Sequence, residues 1–346
     1  MHYINVVFFT VCIILLLTNY LSKYAILLDA PSDQVRKIHK VSLINFGGIA
    51  FFTMYFVYGL ITDTLLNNIL ICSFIMLVTG LLADLKIINS YSNRFYTILL
   101  ITIFFVVENN FIIKNYDHEF LNFILKSNFI IPYIFSILGL IFLVNGINFI
   151  DGIDGLAIGT SIIIITSFII QIYQHADSEL MILLYCFLIV AILLFYFNFF
   201  QKNIFIGDSG AYFCGFFIGC ISIYLANKNL IPATFIACII FYPFIELFIS
   251  FWRRLLSRKN PFKPDFLHLH SLLYKYLELK RQDFRFVSKI NCNTLSSTII
   301  LSSLVLINIL LLYFSEFIGY LNSFILLSAI YLVAYFKLRA KLSKYN

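Results

Sequence analysis

The chain has 346 residues, 61% of them hydrophobic and 12% charged, with a formal net charge of +7. No soluble domain of this length needs so much apolar sequence. The positive balance needs no nucleic acid, because membrane orientation and anionic headgroups account for it.

Crossing a bilayer as a helix takes about 20 apolar residues. In chain order, such runs fall at roughly 4–21, 46–63, 67–83, 95–109, 129–146, 155–173, 180–197, 211–227, 230–252, 295–314 and 319–336. The runs are continuous and do not alternate in ten-residue units. The expected fold class is therefore all-α, a polytopic membrane helical bundle of about eleven transmembrane helices, and not an outer-membrane barrel. The first run has neither a basic leader nor a small-residue cleavage site, and reads as a retained helix. Seven cysteines lie mostly inside apolar runs with no C-x-x-C, which suggests buried thiols and no disulfide or zinc frame. One integral-membrane domain over 1–346 is the simplest division.

The loops between these runs carry very uneven charge. The first loop holds Lys23, Arg36, Lys37 and Lys40; the third, Lys86 and Arg94; the seventh, Lys202. Ten more lie from Arg253 to Lys289, and the tail adds Lys337, Arg339, Lys341 and Lys344. Only Lys114, Lys126 and Lys228 fall on the other side. The positive-inside rule predicts an outside N-terminus and a cytoplasmic C-terminus. The loops at about 22–45, 84–94, 145–154, 198–210 and 253–294 then share the cytoplasmic face.

The unusual acids land on that same face. Asp84 ends the 67–83 run in "GLLADLK", and Asp151 and Asp154 stand in "NGINFIDGIDGL". Asp208 opens the 211–227 run in "NIFIGDSG", and "PFKPDFLHLH" adds Asp265, His268 and His270. An acid beside lipid-length apolar sequence is costly unless it has a partner or a task. Carboxylates that converge repel one another unless a cation joins them, and hard oxygen ligands suit Mg²⁺, with Mn²⁺ as the alternative. The Lys and Arg around them would hold phosphate oxygens.

Four motifs in this order resemble the polyprenyl-phosphate N-acetylhexosamine-1-phosphate transferase family, to which the muramoyl-pentapeptide transferases are related. They are "RKIHKVSLINFGGI", "NGINFIDGIDGLAIG", "FNFFQKNIFIGDSGAYFCGF" and "HLHSLLYK". The third lacks the proline and alanine of the family's pattern. The resemblance implies transfer of a sugar-1-phosphate from a UDP-sugar to polyprenyl (undecaprenyl) phosphate, with UMP leaving and Mg²⁺ required. It implies an enzyme of the bacterial inner membrane that initiates a cell-surface glycan, with membrane lipid around it and a homodimer as one oligomeric state.

By the same resemblance, Asp84, Asp151, Asp154 and Asp208 are the catalytic acids, with Asp208, Asp151 and Asp154 as metal ligands. Lys37, His39, Asn145, Asn148, Asn198, Phe205, His268 and His270 are expected at the substrates, Phe205 as a ring on uracil and the histidines on the donor phosphates. The attack is either direct or through a phosphorylated Asp. Asp208 and Ser209 also suit a helix N-cap. One departure stands out: where the family has two adjacent acids, this chain has Ala83 and then Asp84.

Two rivals have sequence tests. A CDP-alcohol phosphotransferase would continue "DGIDG" with an Ala-Arg pair, whereas Ile158 and Gly159 follow Ala157. A transporter would place its acids near the midplane between broken helices, whereas these stand at helix ends.

Overall fold

The computed structural model describes residues 28–29, 43–45, 47–61, 67–175, 178–202, 204–258, 267–281 and 291–343. Two short strands, β1 (Leu28–Asp29) and β2 (Leu43–Asn45), precede seven helices: α1 (Gly47–Ile61), α2 (Asn67–Asp84), α3 (Tyr91–Glu108), α4 (Glu119–Ser127), α5 (Ile131–Ile150), α6 (Leu156–Ile172) and α7 (Ser178–Phe195). A π turn (Tyr196–Gln201) extends α7 and leads to β3 (Ile204–Phe205). The chain continues through α8 (Gly207–Asn227), α9 (Ala233–Ile239), α10 (Phe241–Leu256), α11 (Leu269–Lys280), α12 (Cys292–Ile318) and α13 (Tyr320–Leu342).

Among the described residues, six helices are long and apolar enough to cross a membrane: α3, α5, α7 with its π turn, α8, α12 and α13. The pair α9–α10, bent by 75°, makes a seventh if it is one span. The expected count of about eleven is thus not what length and apolarity yield here. The 4–21 run lies outside the described residues, and the apolar parts of α2 (Ile71–Asp84) and α6 are shorter. The bend has a covalent cause. Pro243 cannot donate, and its ring crowds the carbonyl four residues back, at Ile239, where α9 ends.

Helix α8 is the centre of the bundle. Of its membrane-length window 94% is buried, against 22% for α13. It packs on α5, α2 and α1. The approach to α2 is backbone to backbone, since a Cβ on Gly80 would run into Ser209. Small residues allow such contact between helices that lack a hydrophobic driving force in lipid. The outer helices present Leu100, Phe104, Leu306, Phe317 and Ile325 at their surfaces, as lipid-facing helices do. The six described cysteines are buried free thiols.

A small sheet departs from the all-α expectation. β1 pairs antiparallel with β2, and β2 pairs parallel with β3 through Ile44↔Ile204 and Asn45↔Phe205. It ties the first loop to the segment that enters α8.

Candidate active site

Asp84 is the last residue of α2, beyond its apolar run. Its carboxylate reaches the start of α8, where Oδ1 accepts the Asp208 N–H at 2.9 Å and Oδ2 accepts the Ser209 N–H at 3.1 Å. Asn45 Nδ2 donates to Oδ1 at 3.2 Å. The first N–H groups of a helix have no intrahelical acceptor. Here an acid from another helix supplies one, because the local N-cap, Ile206, has no capping side chain. This corrects the expectation that Asp208 and Ser209 cap their own helix. Asp208 is its second residue, inside the first turn. Gly207, at φ +69°, lies against the Asp84 carboxylate, where a side chain would both strain the backbone and crowd Oδ2.

Freed from capping, the Asp208 side chain turns to other partners. Arg94 Nη1 lies 2.7 Å from Oδ2, and Asn148 Nδ2 donates to Oδ1 at 2.6 Å. Arg94 is anchored behind by the Ile88 and Ala83 carbonyls, at 2.8 and 3.4 Å. The Asp208 side chain is 26% exposed, so it remains accessible to a ligand. Burial first, and then the Asp208 carboxylate, push Asp84 up to about 7, against the pull of the Asp208 and Ser209 N–H groups. Ala83, where a first acid was expected, is buried, 4% exposed.

The second half of the site is the turn at residues 151–155. Asp151 is the C-cap of α5, and Gly155, at φ +74°, enters α6 in a left-handed conformation that costs a glycine little. Three side chains from elsewhere pin the turn. Asn293 accepts the Asp154 N–H at 3.0 Å, and Asn198 accepts the Gly155 N–H while donating to the Ile204 carbonyl at 2.6 Å. Lys202 Nζ lies 3.3 Å from Asp154 Oδ2 and donates to Thr294 at 2.9 Å. Over the turn sits His270, whose Nε2 would lie 2.7 Å from a Cβ on Gly152. His268 stacks on His270, with ring centroids 5.4 Å apart and planes at 4°.

The structure thus joins Asp84, Asn148 and Asp208 in one bonded network and sets His268 and His270 against the Asp151–Asp154 turn. It gives two expected site residues other tasks. Asn198, expected at the substrate, has both ends of its amide on backbone. Asp154, expected on the metal, is 2% exposed and faces Lys202. Asn145 bonds the Ile141 carbonyl of its own helix at 2.9 Å, and Phe205 is a buried residue of β3. Lys37, His39 and Asp265 lie outside the described residues. Among the described residues, no three His, Cys, Asp or Glu side chains come together as a metal cage. Sequence reasoning placed Arg94 and Lys202 only among the basic residues around the acids, as phosphate holders, and gave no site role to Asn293 or Glu246. Glu246 alone carried a signal, being the only charged residue between Lys228 and Arg253.

With this geometry in place, the similarities to known proteins can be stated. Residues 66–226 match the model of glycosyl transferase family 4. A probable undecaprenyl-phosphate N-acetylglucosaminyl 1-phosphate transferase of Bacillus subtilis (strain 168) is 27% identical over 317 residues, 87% of either chain. An undecaprenyl-phosphate alpha-N-acetylglucosaminyl 1-phosphate transferase of Thermotoga maritima is 27% identical over 257 residues, 73% of this chain and 76% of that protein. A phospho-N-acetylmuramoyl-pentapeptide-transferase of Dictyoglomus thermophilum is 27% identical over 257 residues, 73% of this chain and 80% of that protein. The resemblance read from the four motifs is borne out.

Proposed function

From the premise that residues 66–226 belong to glycosyl transferase family 4, we propose that this protein transfers a sugar-1-phosphate from a UDP-sugar to polyprenyl phosphate. The sugar is an N-acetylhexosamine, the acceptor is undecaprenyl phosphate or a close relative, and UMP leaves. The observation that carries the reading is the bonded network of Asp84, Asp208, Asn148 and Arg94 beside the Asp151–Asp154 turn. It gathers acids, amides and a guanidinium from four helices at one end of a membrane bundle. A water-soluble phosphate donor and a membrane-resident acceptor can meet at such an end.

In this reading the acceptor's phosphate oxygen attacks the sugar-bearing phosphorus, and the bond to the UMP oxygen breaks. Arg94, held at the Asp208 carboxylate, offers a planar fork to phosphate oxygens. Asp84 already accepts three N–H groups, so its part is to orient Asp208. Mg²⁺ usually takes one or two carboxylates and completes its shell with phosphate oxygens and water. One accessible carboxylate, Asp208, fits that habit better than a closed cage, and Asp151 is the second acid that would serve. The ion, when bound, offsets negative charge on the diphosphate.

The charge distribution supports an outside N-terminus, a cytoplasmic C-terminus and a site on the cytoplasmic face of the inner membrane. The transporter reading finds no support. The acids sit at helix ends on one face, where Asp84, Asp208 and Asp154 bond to other elements.

The test is UMP release by purified protein supplied with undecaprenyl phosphate, Mg²⁺ and a panel of UDP-sugars. At least one UDP-N-acetylhexosamine should yield UMP and a lipid-linked product, and EDTA should stop the reaction. No UMP from any donor would overturn the reading, and turnover in excess EDTA would remove the metal from it.

A further inference from the structure

Helix α10 carries a single acid in an apolar stretch, Glu246, whose side chain is 1% exposed. A carboxylate there is costly unless answered by donors. Both of its oxygens meet the start of α11, and the Tyr242 and Tyr331 hydroxyls also stand beside the carboxylate. Oε1 accepts the Leu269 N–H at 3.1 Å, and Oε2 faces His268 Nδ1 at 3.3 Å. Leu269 is the first residue of α11, and the N-cap before it, His268, makes no capping bond of its own. One acid therefore sets both where α11 begins and how the His268 ring stands.

The consequence runs on through contacts. An ionised carboxylate only accepts, so His268 Nδ1 carries the proton, and Nε2 is the ring nitrogen turned away from Glu246. The His268 ring lies parallel to His270, as described above. A further neighbour is Phe149, edge-on at 5.4 Å, whose face Arg254 covers at 5.6 Å. His270 rests on Gly152, between Asp151 and Ile153. A chain of direct contacts thus leads from a buried acid in the bundle to the turn of the candidate site.

A purely structural anchor would need less. The amide oxygen of a glutamine could accept the Leu269 N–H and hold α10 to α11. A glutamine cannot offer a second acceptor oxygen to His268 Nδ1. We propose that Glu246 is a positioning residue for donor binding: it fixes the buried rings of His268 and His270, and through them the Asp151–Asp154 turn, in the orientation that meets the phosphate of a uridine nucleotide. This deepens the transferase reading and rests on it.

The test uses full-length protein in detergent micelles and UMP as the probe. UMP affinity and thermal midpoint are measured for wild type, Glu246→Gln, His268→Gln and the double variant. Glu246→Gln should fold, with a modestly lowered midpoint because one hydrogen bond to a charged group is lost while the Leu269 N–H keeps its acceptor, and should bind UMP about tenfold more weakly. In turnover, its KM for the UDP-sugar should rise while kcat changes less. Glu246→Gln should add nothing to His268→Gln, because residues acting through one contact are non-additive. Unchanged UMP affinity in Glu246→Gln, independent effects in the double variant, or a Glu246→Gln protein that does not fold would each overturn the assignment. Wild-type protein that binds no UMP would instead overturn the nucleotide reading beneath it.

Discussion

The substitution Asp84→Asn separates two effects of one carboxylate, organising the start of α8 and repelling Asp208. Asparagine has one acceptor oxygen and an NH₂ where aspartate has two acceptors. With its oxygen at the Oδ1 position it keeps the Asp208 N–H and Asn45, at 2.9 and 3.2 Å. Its NH₂ then faces the Ser209 N–H that Oδ2 accepted at 3.1 Å. Ser209 is fully buried, so water cannot replace the acceptor. An orphaned donor costs about 1–3 kcal/mol, and losing an anion at a helix N-terminus costs about 0.3–1 kcal/mol. Against this, burial and the Asp208 charge disfavour the charged form of a carboxyl pushed up to about 7, and neutralising it relieves a cost of comparable size. The two sides nearly cancel, so stability should change by no more than about 1–2 kcal/mol. Activity has no such compensation. It depends on where Asp208 points, and a displacement of about 1 Å costs on the order of 10²-fold in rate. The assay is UMP release at saturating substrates, with a thermal midpoint on the same preparation. Turnover close to wild type would refute the positioning role of Asp84, and a collapse of stability would refute the cancellation.

Asp208→Asn keeps an amide that can meet Asn148 but removes the charge opposite Arg94 at 2.7 Å. Helix α8 does not depend on Asp208 for its cap, so the variant should fold, with turnover reduced on the order of 10²-fold or more and only weakly rescued by added Mg²⁺. Near-normal turnover would count against the proposed Mg²⁺ at Asp208 and favour the Asp151–Asp154 turn. Lys202→Met removes the cation 3.3 Å from a carboxylate that is 2% exposed. Because the Lys202 side chain is itself 35% exposed, the expected loss is discounted to roughly 1–3 kcal/mol, below the cost of splitting a fully buried pair. Lys202→Arg should restore stability, and denaturation curves unchanged in Lys202→Met would show that Asp154 does not depend on this ion pair.

Long apolar runs were legible because burial in lipid or protein demands them residue by residue. Each described run from 46–63 onward contains a helix. The break within 230–252 was also written in the chain, as Pro243, although a count of apolar residues passes over it. Other features depend on partners far away in sequence. Strands of two or three residues carry no readable period, so the pairing of β2 with β3 could not be seen. Nothing local says that Asp84 supplies the acceptor for α8; the visible cue, Asp-Ser at the start of an apolar run, pointed to self-capping. Asn198 illustrates the same limit. Its motif marked it for the site, but whether an amide meets substrate or backbone depends on what Gly155 and Ile204 leave unbonded.

A common device links these cases. Where a helix or turn reaches the candidate site, its exposed backbone groups are answered by a side chain from a distant segment. Asp84 serves the start of α8, Glu246 the start of α11, Asn198 the Gly155 end of the turn, and Asn293 the Asp154 N–H. A local cap would stabilise each end just as well but would leave its direction to the loop. A cap supplied from another helix ties direction to the bundle, which is rigid because α8 packs backbone to backbone within it. On the proposed function, the acids of the site therefore divide into those that hold it together and those that meet ligand. Asp84 and Glu246 belong to the first kind and Asp208 to the second. This division also makes the absence of an acid at Ala83 intelligible. The holding task needs one carboxylate at the end of α2, and Asp84 performs it with both oxygens.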